Sequence, residues 1–235
     1  MMLNILDPFY DPSYVNIEKR KSIFITAKNS FIARNILEQL DYDFTATTHK
    51  ELDLTDAEAV NKFFKDKYFD VVIHTACIGG RRDGEDSVEI FDDNIEMFLN
   101  LFNNRNHWLK LINFGSGADQ LNTYYGGAKE LIGGIIKKSE DMINLRLFGV
   151  WGRYEKPDRF PAYCLNHDEV VIEEDKKMRY IHVDDLVTIV GDIIDYWPEN
   201  TREMILGTPI KLSKFAKQLN PNIKVIIEGK GEDYI

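Results

Sequence analysis

The sequence predicts an α/β fold: a doubly wound parallel sheet with a small C-terminal lobe. Short apolar and β-branched runs alternate along the chain with segments of helical period, and the run 71–74 is almost wholly apolar. A strand of that composition is typical of one buried on both faces of a sheet. Alternating strands and helices imply parallel strands joined by right-handed crossovers.

The individual elements follow from local pattern. A strand at 23–26 precedes a helix at 31–40, whose apolar residues share one helical face: Ile32, Ile36, Leu37 and Leu40. Asp56 is a good N-cap for a helix that ends at 64. The other predicted elements are strands at 44–48, 52–54, 71–74, 109–114 and 143–148 and helices at 88–102 and 124–137. Ligands of such sheets bind outside the carboxyl ends of the strands, so residues at strand ends are candidates for a site.

Length and composition exclude several classes of protein. The chain has 235 residues, enough for one domain or one domain with a small appendage, and a net charge of −10. That charge argues against nucleic acid or an anionic membrane as the main partner, and no apolar run approaches the roughly 20 residues that span a bilayer. The two cysteines, Cys77 and Cys164, have no metal-ligand spacing, so we expect no metal site and a reducing, cytoplasmic setting.

A candidate acid/base pair lies in the helix at 124–137. Tyr125 and Lys129 are four residues apart and therefore share a helical face. A phenol has a pKa of about 10, and a neighbouring ammonium is expected to lower it towards neutrality. Ser116, at the end of the preceding strand, could orient a substrate hydroxyl or carbonyl. The alternative for an isolated pair is a half-buried tyrosine and a solvated lysine without a catalytic role.

Several segments, taken in order, resemble the extended short-chain dehydrogenases, the nucleotide-sugar epimerase, dehydratase and reductase family, and most closely its GDP-fucose synthase type. The segments are 49–56, 72–80, a helix that contains Asn94, 114–116, 145–152 and 180–185. The chain departs from the family pattern at Cys77, Gly149 and Trp151, and Met178 stands where a substrate-contacting arginine is expected.

The resemblance implies a Rossmann-like dinucleotide-binding domain at 22–152 plus 178–195, after an N-terminal extension at 1–21. The segments 153–177 and 196–235 would form a reduced substrate lobe. It also implies a nucleotide-sugar substrate, and a homodimer through the Tyr125 helix is common in the relatives.

The resemblance also assigns roles to residues. Ser116 would polarise the substrate, Tyr125 would be the acid/base, and Lys129 would also hold the nicotinamide ribose. The implied cofactor-binding residues are Ala27, Asn29, Ser30, Phe31, Ile32, His49, Asp53, Leu54, Ala76, Cys77, Asn94, Tyr125 and Lys129. The implied substrate-binding residues are Arg81, Ser116 and Arg179. NADP is favoured over NAD because His49 and Lys50 could accept a 2′-phosphate.

The turn that should hold the dinucleotide contains no glycine. The family pattern Gly-x-x-Gly-x-x-Gly is replaced by Ala27, Ser30 and Ala33. All three replacements are small, and the helix N-terminus still offers N–H groups to an anion. We therefore expect weakened cofactor binding, with the outcome dependent on whether Ala27 can adopt a positive φ.

Two functions remain open on the sequence alone. The first is an NAD(P)-dependent oxidoreductase or epimerase acting on a nucleotide-linked keto sugar. The second is a degenerate family member that binds a nucleotide or a protein partner without turnover. Ser116, Tyr125 and Lys129 favour the enzyme. The altered turn, the eight residues between Ser116 and Tyr125 and the reduced lobe favour the second.

Overall fold

The computed structural model describes residues 20–80, 84 and 86–235. Most of the predicted N-terminal extension, and Arg81, therefore lie outside the described residues.

Eleven strands and seven α-helices make up this part of the chain. The strands are β1 Ser22–Ile25, β2 Asp43–Ala46, β3 Phe69–His74, β4 Trp108–Ser116, β5 Met142–Leu147, β6 Gly149–Trp151, β7 Glu169–Ile172, β8 Lys177–His182, β9 Glu203–Ile205, β10 Thr208–Lys211 and β11 Lys224–Ile227. The helices are α1 Phe31–Gln39, α2 Ala57–Phe64, α3 Val88–Asn103, α4 Tyr124–Ile136, α5 Phe160–Asn166, α6 Val183–Asp195 and α7 Leu212–Leu219. None of the helices in this described part is long and apolar enough to cross a membrane.

The central sheet has six strands in the order β2-β1-β3-β4-β5-β9, and all its neighbouring strands are parallel. The predicted doubly wound α/β class is confirmed. From β1 the chain continues to β2 on one side and later to β3 on the other, so the strand order reverses between β1 and β3. The carboxyl ends of these two strands form the crevice where such sheets bind ligands.

Alternate residues of the central strands enter two separate apolar layers. Ile23 and Ile25 pack on the side of α1 and α6, whereas Phe24 packs on the opposite side, with α2, α3 and α4. Burying each such side chain contributes about 1.5–3 kcal/mol. The sheet is thus anchored on both faces, which holds the strand ends in fixed relative positions.

One predicted strand is wrong. The segment 52–54 is irregular and enters a turn at Leu54, although Leu52 and Leu54 are buried in the core as a strand would require. The side chain of Asp53 accepts hydrogen bonds from the backbone N–H of Thr55 at 2.9 Å and from its hydroxyl at 2.7 Å. This local bonding turns the chain instead of extending it.

A smaller assembly follows the central sheet. It consists of the three-stranded sheet β10-β8-β6 and the strand pair β11-β7, with α5 and α7 packed around a separate apolar cluster. Cys164 lies fully buried in that cluster. Strand β8 connects the smaller assembly to the central sheet. It follows β7 in the chain and leads into α6, which packs against α1 on one face of the central sheet.

Candidate active site

The structure brings Ser116, Tyr125 and Lys129 together. Ser116 ends β4, and its side chain is close enough to the phenol of Tyr125, in the first turn of α4, to act on the pKa of that phenol. Lys129, one turn further along α4, is buried and donates to the carbonyl of Phe114 at 3.0 Å, with its Nζ 5.6 Å from the centre of the Tyr125 ring. The predicted proximity is therefore observed, and the catalytic roles remain a proposal.

Local capping sets the start of α4, and thereby the position of Tyr125. The hydroxyl of Thr123 accepts from the Gly126 N–H at 2.9 Å. The carboxylate of Asp86 accepts from the N–H groups of Tyr124 and Tyr125 at 2.9 and 3.0 Å. These bonds satisfy three of the N–H groups that a helix leaves free at its N-terminus. Asp86 had no assigned role on sequence grounds, because it lies 39 residues from Tyr125.

The expected lowering of the Tyr125 pKa is wrong for this geometry. Burial raises the pKa of the phenol well above its usual range, the charge of Cys77 adds to the rise, and the hydrogen bond with Ser116 opposes it only in part. Burial likewise lowers the pKa of the Lys129 ammonium. Desolvation outweighs the nearby charge because both groups are removed from water. The phenol is therefore neutral at physiological pH and able to donate a proton.

The loop after β3 covers Tyr125. Gly80 has a φ of +79°, and a Cβ placed on it would lie 2.7 Å from Cζ of the Tyr125 ring. Asn94, predicted to bind cofactor, is buried and holds this loop: it accepts from the N–H of Ile78 at 3.1 Å and donates to the Ile78 carbonyl at 2.9 Å. Its observed contacts are structural. Gly79 and Gly80 end the motif segment 72–80, and only the tertiary structure places them against Tyr125.

Ala27 adopts the backbone conformation that the family pattern assigns to glycine. Its φ is +49°, in the left-handed region, where an L-residue is disfavoured by about 1–2 kcal/mol. Ser30 begins α1, and its hydroxyl accepts from the N–H of Ala33 at 3.3 Å. Phe31 and Ile32 pack against the core, so only their backbone N–H groups are offered to a ligand. The tight turn is thus retained, but Ala27 is strained and the N–H of Ala33 is bonded to Ser30 and not offered to a ligand.

A cleft of about 480 Å³ lies beside this turn, and its lining residues are Ala27, Asn29, Ser30, Thr48, His49 and Lys50. Lys28, next to it, forms an ion pair with Glu51 at 2.8 Å. The bond with Lys28, followed by bonds with Thr48, lowers the Glu51 pKa to about 2. The charge of Lys28 is therefore matched by Glu51, while His49 and Lys50 line the cleft.

The residues present fit a dinucleotide. A left-handed turn, a helix N-terminus and an adjoining cleft with basic residues are arranged around the crevice between β1 and β3. Ala76 and Cys77 follow β3 at the same crevice, and the Ala76 N–H donates to the hydroxyl of Thr26 at 3.0 Å. Two residues predicted to bind the cofactor make contacts within the protein instead. Leu54 is buried in the core, and Asp53 is bonded to Thr55.

Arg179, a predicted substrate contact, lies on β8. Its Nη1 donates to the carbonyl of Gly207 at 2.9 Å, which ties it to the backbone between β9 and β10. Arg146 on β5 received no role from the sequence, yet its guanidinium contacts the carboxylate of Asp119 directly after the Ser116 turn. Both side chains of this ion pair are largely buried. Arg81 lies outside the described residues.

Comparison with known proteins agrees with this arrangement. Residues 23–130 match the model of the NAD dependent epimerase/dehydratase family. A GDP-L-fucose synthase of Azorhizobium caulinodans is 31% identical over 107 residues, which are 43% of this chain and 34% of that enzyme. The match thus spans about a third of the relative. The resemblance stated from the motifs is confirmed for the segment 23–130, which matches the model of this family.

Solved structures share the fold. The dTDP-4-dehydrorhamnose reductase of Bacillus anthracis, in complex with NADP, superposes with a TM-score of 0.76 at 18% identity and covers 89% of this chain and 84% of its own. A GDP-mannoheptose C4 reductase of Campylobacter jejuni, with NADP bound, has a TM-score of 0.73 at 17% identity and covers 92% and 90%. At these identities the likeness establishes the fold.

Proposed function

We propose that the protein is an NADP-dependent oxidoreductase or epimerase that acts on a nucleotide-linked keto sugar. The observation that carries the proposal is the meeting of Ser116, Tyr125 and Lys129 at the carboxyl end of the sheet, within a family domain. The GDP-L-fucose synthase relative supports a nucleotide-sugar substrate. Reductases with the same fold support NADP as the cofactor.

The chain would hold the cofactor through groups already described. The turn at Ala27 and the N–H groups of Phe31 and Ile32 would receive the pyrophosphate. His49 and Lys50, which line the adjoining cleft, would receive a 2′-phosphate. Asn29, Ala76 and Cys77 would complete the contacts along the crevice.

The bound cofactor would supply the hydride that reduces a keto carbon of the sugar. Ser116 would donate a hydrogen bond to the keto oxygen and polarise it. Tyr125 would then give its phenolic proton to that oxygen as negative charge develops there, which leaves a hydroxyl on the product and a phenolate on the enzyme. The Lys129 ammonium would stabilise the phenolate until it regains a proton from water.

A second candidate function is nucleotide binding without turnover. The hydroxyl of Ser30 accepts a hydrogen bond from the N–H of Ala33, so that N–H is not available to a phosphate. Ala27 has a strained backbone conformation. Both features weaken a phosphate site. In addition, Gly80 lies on the Tyr125 ring. These observations favour reduced cofactor affinity and restricted access to the phenol.

Cofactor titration and one tyrosine variant separate the two functions. NADPH and NADH are titrated against the protein while nicotinamide fluorescence is followed, and turnover of a GDP-linked and a dTDP-linked 4-keto sugar is measured from absorbance at the nicotinamide band. We expect NADPH to bind and Tyr125→Phe to retain binding while it loses about 10²- to 10⁴-fold in kcat. Tyr124→Phe, at the exposed neighbouring position, is the matched control and should be unaffected.

Two outcomes would contradict the proposed enzymatic function. If neither nucleotide binds at millimolar concentration, the oxidoreductase is excluded. If Tyr125→Phe turns over as fast as the wild type, Tyr125 has no acid/base role. Binding of NADPH without reduction of either sugar class would favour the second candidate.

A further inference from the structure

The segment 231–235 lies along β8 and is held by specific backbone bonds. The N–H of Tyr234 donates to the carbonyl of Lys177 at 2.8 Å, and the N–H of Lys177 donates to Asp233 Oδ1 at 2.9 Å. Met178 and Tyr234 form a parallel bridge. An ion pair of 3.4 Å between Lys177 and Asp233 adds to these contacts. The position of Tyr234 is thus set by the backbone of β8.

The ring of Tyr234 packs towards Ser116 through a single intervening ring. It lies 5.0 Å from the ring of Phe148, edge to face at 70°. Phe148 in turn lies against Gly117, where a Cβ would overlap its ring. Gly117 directly follows Ser116 in the chain. One aromatic ring therefore separates Tyr234 from the residue that follows Ser116.

The phenol of Tyr234 is partly buried and lies within electrostatic range of Asp119 and Arg146. Burial raises its pKa to about 12, the charges of Asp119 and Tyr125 add to the rise, and Arg146 opposes it. The hydroxyl therefore stays protonated at physiological pH and can donate a hydrogen bond.

Arg146 packs on the same Phe148 ring as Tyr234. Its guanidinium carbon lies 5.5 Å from the centre of the Phe148 ring, and its side chain is 14% exposed. Its buried Nε has no hydrogen-bond partner among the described residues.

We propose that Tyr234 is a substrate-contacting residue, whose hydroxyl, beside Arg146, receives a hydroxyl or ring oxygen of the sugar. The assignment rests on the proposed function. It also accounts for the short connection between Ser116 and Tyr125, which folds into a 3₁₀ turn at Gly117–Gln120 and reaches α4 after three further residues, 121–123. The segment that contains Tyr234 comes from a distant part of the chain and provides an aromatic wall beside this turn.

The test compares Tyr234→Phe with Tyr234→Leu. The first keeps the ring contact with Phe148 and removes the hydroxyl, whereas the second removes both. We expect Tyr234→Phe to raise the KM for the 4-keto sugar about 3- to 10-fold, as for loss of one hydrogen bond, with NADPH affinity unchanged. Tyr234→Leu should raise KM further. Tyr196→Phe, at a tyrosine that is 82% exposed, is the matched control.

The outcomes separate this inference from the proposed function. If wild type turns over the sugar and Tyr234→Phe has wild-type KM and kcat, Tyr234 makes no substrate contact. A lower kcat at unchanged KM would make Tyr234 a support of the Ser116 turn and would overturn the inference as well. A wild-type protein that binds no cofactor overturns the proposed function, and this inference with it.

Discussion

Gly80 lies so close to Tyr125 that a Cβ on the glycine would be 2.7 Å from Cζ of the phenol ring. Gly80 also has a positive φ of +79°, which side chains rarely adopt. We expect Gly80→Ala to displace the loop after β3, to lower kcat at least 10-fold, and to destabilise the protein by about 1–3 kcal/mol. Turnover and denaturant unfolding measure the two effects.

Gly134→Ala is the control for that substitution. Gly134 lies in α4, and a Cβ there meets no atom of the described residues within 4 Å. Alanine at this position should stabilise the protein by up to about 1 kcal/mol and leave kcat unchanged. Equal effects of the two substitutions would show that the contact between Gly80 and Tyr125 has no functional weight.

The strain at Ala27 can be relieved. Ala27→Gly allows the φ of +49° without a Cβ penalty, although glycine also gains entropy in the unfolded state. We expect a net gain of up to about 1 kcal/mol in unfolding free energy and tighter binding of NADPH, measured by denaturant unfolding and fluorescence titration. Ala33→Gly, within α1, should instead destabilise by about 1 kcal/mol. Weaker cofactor binding by Ala27→Gly would contradict the strain assignment.

Substitution of Lys129 tests whether this residue has a catalytic or a structural role. Lys129→Met removes the buried charge and leaves the Phe114 carbonyl without its 3.0 Å partner. The loss of desolvation cost and the loss of the hydrogen bond oppose each other, so we expect stability to change by no more than about 1 kcal/mol. Turnover should fall about 10²-fold or more because the phenolate loses its counter-charge. A large loss of stability with retained turnover would make Lys129 structural.

Burial of His74 predicts a pH effect on stability. His74 is buried at the end of β3, and burial, helped by the charge of Lys129, lowers its pKa from 6.5 to about 3. Between these values the unfolded state binds a proton that the folded state does not. The stability that neutral His74 contributes is therefore fully present above pH 6.5. As the pH falls below 6.5, the free energy of unfolding decreases by up to about 1.4 kcal/mol per pH unit.

Unfolding free energies at pH 7.5 and pH 5 measure this effect. His74→Leu should show a smaller loss than the wild type over the interval, whereas His49→Gln, at an exposed histidine, should match the wild type. The comparison between variants is needed because burial raises the pKa of the Glu155 carboxyl to about 7, which adds stability as the pH falls. Parallel curves for wild type and His74→Leu would refute the assignment.

Most helices and strands predicted from local pattern are present. The strand that precedes Ala27, the helix capped by Asp56 and the helix of Tyr125 all form near their predicted bounds. The predicted strand at 52–54 failed because Asp53 bonds to Thr55, a local alternative to extended pairing. The hydrogen bond from Arg179 to the carbonyl of Gly207, 28 residues away, could not be foreseen from local pattern, and the predicted substrate contact of Arg179 stays a prediction.

By itself the sequence determined the α/β class, the family resemblance and the pairing of Tyr125 with Lys129, because periodicity and four-residue spacing act within one element. Only the tertiary structure decided that Ala27 takes a positive φ, that Gly80 rests on Tyr125 and that Tyr234 packs beside Phe148. It also reversed the expected pKa shift of Tyr125, since desolvation depends on what surrounds the phenol. Such features arise from contacts between residues far apart in the chain, and no local pattern encodes them.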